Sequence, residues 1–155
     1  MLAACAAIAI AIASGLNACG KKPPPSPPPA TAAEPIVDGP PAQGTARNAI
    51  SPDGGHAQYR VYGSGEPALV FIHGWSCDSN YWREQVPVFR QNYTVVTVDL
   101  AGHGGTGANR SDWSMARFGQ DVATAAATIP NAKLILVGHS MGGPVAIEAA
   151  RLLEG

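Results

Sequence analysis

The rhythm of apolar and polar positions changes twice along the chain. Leu2 to Ala18 is an uncharged run of Ala, Ile and Leu, Lys21 to Pro41 has few side chains to bury, and from Arg47 onward short apolar runs alternate with helical stripes. Ala46 to Ser51 and His56 to Tyr62 flank Pro52-Asp53-Gly54-Gly55, the residues of a tight turn, and predict an antiparallel pair. Ala68 to His73, Thr94 to Asp99 and Lys133 to Gly138 are rich in Val, Ile and Leu at successive positions, as strands covered on both faces are. Between them the spacing predicts helices over Asn80 to Arg90 and Ser114 to Ile129. In the second, Met115, Phe118, Val122, Ala125 and Ile129 recur three or four apart on one face. A further helix is expected from Met141 to Leu153. Strand and helix alternate, so residues 46–155 are expected to form an α/β domain with a doubly wound, mostly parallel sheet.

The first 45 residues are expected to lie outside that domain. A helix over Leu2 to Ala18 would be about 25 Å long, short for a membrane crossing and suited to a signal-peptide core. It runs into Leu16-Asn17-Ala18-Cys19-Gly20, which resembles the lipobox of bacterial lipoproteins. That resemblance implies lipidation of Cys19, export, and a membrane-anchored protein on the periplasmic or cell-surface side; an uncleaved apolar anchor is the alternative. Residues 20–45 form a linker in which Lys21 to Pro41 holds nine prolines, including Pro23-Pro24-Pro25 and Pro27-Pro28-Pro29. Such a stretch favours polyproline II and acts as a semi-rigid spacer.

Composition narrows the function further. Ten Lys and Arg balance eleven Asp and Glu, with no basic run, so a nucleic-acid partner is not expected. Cys5, Cys19 and Cys77 are too few and scattered for a disulfide framework, and no Cys/His cluster has zinc-ligand spacing. No metal, disulfide or cofactor is expected.

Candidate chemistry centres on Leu134-Ile135-Leu136-Val137-Gly138-His139-Ser140-Met141-Gly142-Gly143, a buried strand leading through Gly-x-Ser-x-Gly into a helix. A serine on so sharp a turn needs glycine two places before and two after, to avoid collisions with strand and helix; Gly138 and Gly142 meet that need. The turn would put Ser140 at the carboxyl end of the sheet and aim a helix N-terminus at it, where free N–H groups stabilise an oxyanion. The Met141 N–H is one such donor. Pro144 falls in the first helical turn, where a missing N–H costs little.

Two further motifs occur in order: His73-Gly74-Trp75 after Leu69 to Ile72, and Asp99-Leu100-Ala101-Gly102-His103-Gly104 after the next strand. With Gly-His-Ser-Met-Gly-Gly they resemble the α/β-hydrolase superfamily, in its esterase, lipase and perhydrolase branch, over about Ala46 to Leu153. The resemblance implies Ser140 as nucleophile, the Trp75 N–H as second oxyanion donor, and a small-molecule ester or acyl substrate. A serine at the elbow argues against the dehalogenase and epoxide hydrolase branches, which carry aspartate there.

Other polar residues read more simply. His139 is expected to pack against the sheet rather than act as base, because neighbours on a sharp turn point different ways. His73 and His103 resemble structural histidines of the family's turns, Asp99 is expected to organise the loop after it, and Cys77 to be a small buried side chain. Trp75, Tyr81 and Trp82 are expected either to line an acyl pocket or to join the core.

In the family the acid and histidine follow the serine, yet after Ser140 come only Glu148 and Glu154 and no histidine. The expectation is an incomplete fold ending after the elbow helix, as the front portion of a longer serine hydrolase; the alternative is a catalytically inactive or binding-only fragment. Without a base the chain itself should hydrolyse little.

Overall fold

The computed structural model describes residues 44–130 and 133–154. The leader-like segment, Cys19 and the proline-rich linker lie outside the described residues. No helix among the described residues is long and apolar enough to cross a membrane.

Among the described residues five strands form one sheet in the order β1-β2-β4-β3-β5. They are β1 (Thr45–Ile50), β2 (His56–Tyr62), β3 (Ala68–Ile72), β4 (Thr94–Asp99) and β5 (Leu134–Gly138). β1, β2 and β4 are antiparallel neighbours, while β3 runs parallel to both β4 and β5. The β1–β2 turn closes through Gly54 N–H donating to Ser51 O at 2.8 Å, with Gly54 at φ 82°, and Asp53 Oδ1 accepts from Gly55 N–H at 3.0 Å. An Asx side chain and a left-handed glycine are what that turn demands.

β3 shows why consecutive apolar residues were needed. Ala68, Val70 and Ile72 join a core that takes in Phe118, Val122 and Ala125 of α2 (Met115–Ala126) and Val145 and Ala149 of α3 (Gly142–Leu153). Leu69 and Phe71 enter a second, smaller core on the opposite face with Trp82, Val86 and Val95. The layers are therefore helix, sheet, helix, the arrangement that a strand buried on both faces calls for. α2 and α3 meet at Gly119, where an added Cβ would lie 2.5 Å from Glu148 Cβ.

The helix expected over Asn80 to Arg90 is interrupted. A 3₁₀ turn covers Ser79–Trp82, capped by Asp78, and α1 is confined to Gln85–Phe89. Pro87 gives the reason: within one continuous helix it would delete an internal hydrogen bond and clash with the preceding turn, whereas near the start of α1 it does neither. β5 pairs only with β3 among the described residues, and Ile135 is 40% exposed on it. It thus presents an apolar, half-covered edge.

Candidate active site

Ser140 stands between the end of β5 and the start of α3, exposed, with φ 52°. That left-handed backbone is unusual for a residue with a Cβ and costs about 1–2 kcal/mol. It persists because the neighbouring contacts leave no alternative. A Cβ on Gly138 would strike the Gly142 carbonyl oxygen and lie 2.6 Å from Gly143 N, and one on Gly142 would strike Ile72 O and lie 2.8 Å from His73 O. Gly142 N–H donates to His139 O at 2.8 Å and Gly143 N–H to Ser140 O at 2.9 Å, so the turn winds directly into the helix.

The turn after β3 lies against this elbow. A Cβ on Gly74 would come 3.1 Å from Ser140 Cβ and 3.0 Å from His139 Nδ1. Cys77 N–H donates to Gly74 O at 3.3 Å, closing a tight turn whose third residue, Ser76, has φ 55°. Among the described residues the backbone N–H groups of Trp75 and Met141 have no acceptor, whereas those of Cys77, His139, Gly142 and Gly143 do. Two free donors therefore flank the serine, one from each turn.

Two side chains tie the β3 turn to the loop after β4. The ring of His73 is fully buried. Its Nε2 accepts from Leu100 N–H at 3.1 Å, so Nδ1 carries the proton and donates to Gly74 O at 2.8 Å. Burial, with His103 adding a smaller push, holds its pKa below the ordinary 6.5, against the Gly74 hydrogen bond and the fields of Asp99 and Asp78. Asp99 accepts from Ser79 N–H at 2.6 Å and from Gly105 N–H at 3.1 Å, and a Cβ on Gly104 would strike its carboxylate. Asp99 thus organises the following loop as expected, and it also reaches across to the β3 loop.

The chain has four histidines, and among the described residues none is hydrogen-bonded to Ser140. His139 stacks on Tyr81 with ring centroids 4.3 Å apart, so its ring contact is with the 3₁₀ turn, where the sequence pointed to the sheet. Trp82 is core, stacked 4.7 Å from Phe71, while Trp75 is 65% exposed and Tyr81 half-buried. Cys77 departs from expectation: it is half-buried, because the tight turn carries it outward.

Sequence reading missed a buried ionic group behind the β4 loop. Arg110 donates to Asp121 at 2.7 Å twice and to Asp53 at 3.2 Å, and Ser51 Oγ donates to Asp121 at 2.5 Å. The hydrogen bonds that Arg110 donates to Asp121 hold its pKa above the ordinary value against the cost of burial. The available signal was Asp121 itself, a charge on the apolar stripe between Phe118 and Val122. A cleft of about 260 Å³ nearby is lined by Asn48, His56, Gln58 and Arg110, among others, and includes neither Ser140 nor Trp75.

Comparison with known proteins supports the fold. A family model described as alpha/beta hydrolase fold matches residues 67–153. The chain is 39% identical over 98 residues to 2-succinyl-6-hydroxy-2,4-cyclohexadiene-1-carboxylate synthase of Escherichia coli, covering 61% of this chain and 37% of that protein. Among solved structures, an esterase from Rhodococcus sp. ECU1013 superposes with TM-score 0.61 at 36% identity, over 69% of this chain and 40% of that one. The epoxide hydrolase CorEH does so with TM-score 0.64 at 28% identity, over 71% and 38%. The chain spans between about a quarter and two fifths of the length of the curated relatives it matches, 26% at the low end and 37% at the high end.

Proposed function

The chain belongs to the alpha/beta-hydrolase family, and from that premise we propose that its parent protein is a serine hydrolase acting on an ester or related acyl substrate. Ser140 Oγ attacks the carbonyl carbon; the developing oxyanion is held by the Trp75 and Met141 N–H groups and by the N-terminal end of α3. Collapse expels the alcohol, and water then releases the acyl group from Ser140. The observation that carries this reading is the pair of unpaired N–H donors flanking a serine at φ 52°. Ser76 shares that backbone at φ 55°, but at Ser140 the strain would serve to present a nucleophile at the head of α3.

A serine hydroxyl needs a base, and none of the four histidines is bonded to it. We assign the base and its acid partner to a portion of the parent protein other than residues 1–155, which the chain's share of its relatives' length supports. The same missing contact favours the second reading, a product that lacks catalysis. Intact mass of the native gene product after fluorophosphonate labelling decides between them. Labelling lost on Ser140→Ala upholds the hydrolase; an unlabelled species near the calculated 15.9 kDa overturns it for this chain.

We further propose export and membrane anchoring through a lipid on Cys19, supported by the apolar run before it and the proline-rich spacer after it. Incorporation of labelled palmitate that survives Cys19→Ala would defeat that assignment.

A further inference from the structure

The turn that carries the Trp75 N–H is weakly held by its own backbone. One 3.3 Å hydrogen bond closes it, and Ser76 sits at φ 55° without being glycine. The indole of Trp75 is 65% exposed, and its one ring contact among the described residues is with His103.

His103 is itself well anchored. A carbonyl can only accept, so the ring's Nδ1–H donates to Ala101 O at 3.0 Å and fixes the plane of the imidazole. Its centroid lies 5.2 Å from His73 and 6.3 Å from Phe118 of α2, both fully buried. On its outer side it meets the Trp75 indole at 5.4 Å and 78°, an edge-to-face arrangement. The rings therefore run from buried interior to exposed turn, with His103 as the connecting member.

From this geometry we infer that His103 is a positioning residue: by holding the Trp75 indole it aims the Trp75 N–H at the oxyanion formed on Ser140. The inference rests on the serine-hydrolase reading above. It differs from a general scaffolding role because the contact is to the side chain of the very residue whose N–H would serve. Complete loss of one such donor costs about 100- to 1000-fold in kcat, so a donor left in place but loosely aimed should cost about tenfold.

The test uses the native full-length gene product with 5-fluorotryptophan incorporated, the Trp75 fluorine signal being assigned through Trp75→Phe. Two variants are compared, His103→Ala and His103→Phe, with p-nitrophenyl butyrate as substrate. The expected result is that His103→Ala lowers kcat about tenfold with KM altered less than about twofold, since the donor acts in the transition state. The Trp75 resonance should move toward that of a free indole. His103→Phe, which keeps a ring against the indole, should return most of both, and it also decides the matter should His103→Ala fail to fold. An unmoved Trp75 resonance, or equal loss of kcat in both variants, would overturn the inference. Wild-type protein that fluorophosphonate does not label at Ser140 would instead sink the hydrolase reading. The fluorine signal would then report a ring contact with no catalytic purpose, and the positioning role would fall with it.

Discussion

Arg110 holds Asp121 through two 2.7 Å hydrogen bonds, with 3% and 0% of the respective side chains exposed. The pair is enclosed beneath the hairpin that Ser51 and Asp53 terminate, so Asp121 is satisfied from both sides. Removing one member strands the other charge without water. Arg110→Met should therefore cost about 3–5 kcal/mol, whereas the double replacement Arg110→Met with Asp121→Leu should cost far less. Urea unfolding of the parent protein measures both; a double variant as unstable as the single would contradict the account.

Why the sequence concealed this pair while exposing the elbow follows from the reach of each signal. Gly138, Ser140 and Gly142 fall within five residues, and the collisions that make glycine necessary there are local. β3 and β4 were legible because their runs of apolar residues meet a core on each face. Arg110 and Asp121 meet across a loop, and Ser51 joins from seventy positions away, a closure set by tertiary packing. The interrupted helix at Ser79–Phe89 was misread for a subtler reason. Trp82 and Val86 do enter the core against the sheet, while Val88 and Phe89 are exposed, and only Pro87 signals that one helix cannot run through the segment.

The tolerance of neighbouring glycines should differ sharply. A Cβ at Gly142 meets Ile72 O and at Gly138 meets Gly142 O, both backbone atoms that cannot step aside, while one at Gly143 meets nothing within 4 Å. Gly143→Ala should be neutral or stabilising by up to about 1 kcal/mol, as an alanine within a helix is. Gly138→Ala and Gly142→Ala should each lower thermal stability and abolish fluorophosphonate labelling. Equal melting temperatures for Gly142→Ala and Gly143→Ala would count against the elbow geometry.

Ser140, at φ 52°, holds a left-handed backbone that costs a residue with a Cβ about 1–2 kcal/mol. Glycine visits φ near +50° freely, so Ser140→Gly should raise stability by about 1 kcal/mol while eliminating labelling. Ser140→Ala keeps the Cβ and should remove labelling without that gain. Chemical denaturation of the two variants side by side gives the comparison, and equal midpoints would mean that the backbone at Ser140 is not under load.

The neutral His73 makes a pH dependence that can be signed. Burial sets its folded pKa below the ordinary 6.5, so between those two values the unfolded chain binds a proton that the folded protein does not. The stabilisation is present in full above about pH 6.5 and declines as pH falls toward the folded pKa, because a protonated Nε2 can no longer accept from Leu100 N–H. His73→Gln can keep an acceptor near that N–H and does not titrate. Wild type should be the more stable of the two at pH 7.5, and the gap in melting temperature should narrow on acidification to pH 5.5 (about one unit below the ordinary histidine pKa). Comparing the two proteins cancels the carboxylates, including Asp53, whose pKa is lowered chiefly by the Gly55 N–H and whose own window lies below about pH 4. A gap that stays constant or widens toward acid would show that His73 does not fold in the neutral, doubly hydrogen-bonded form that clamps the two loops.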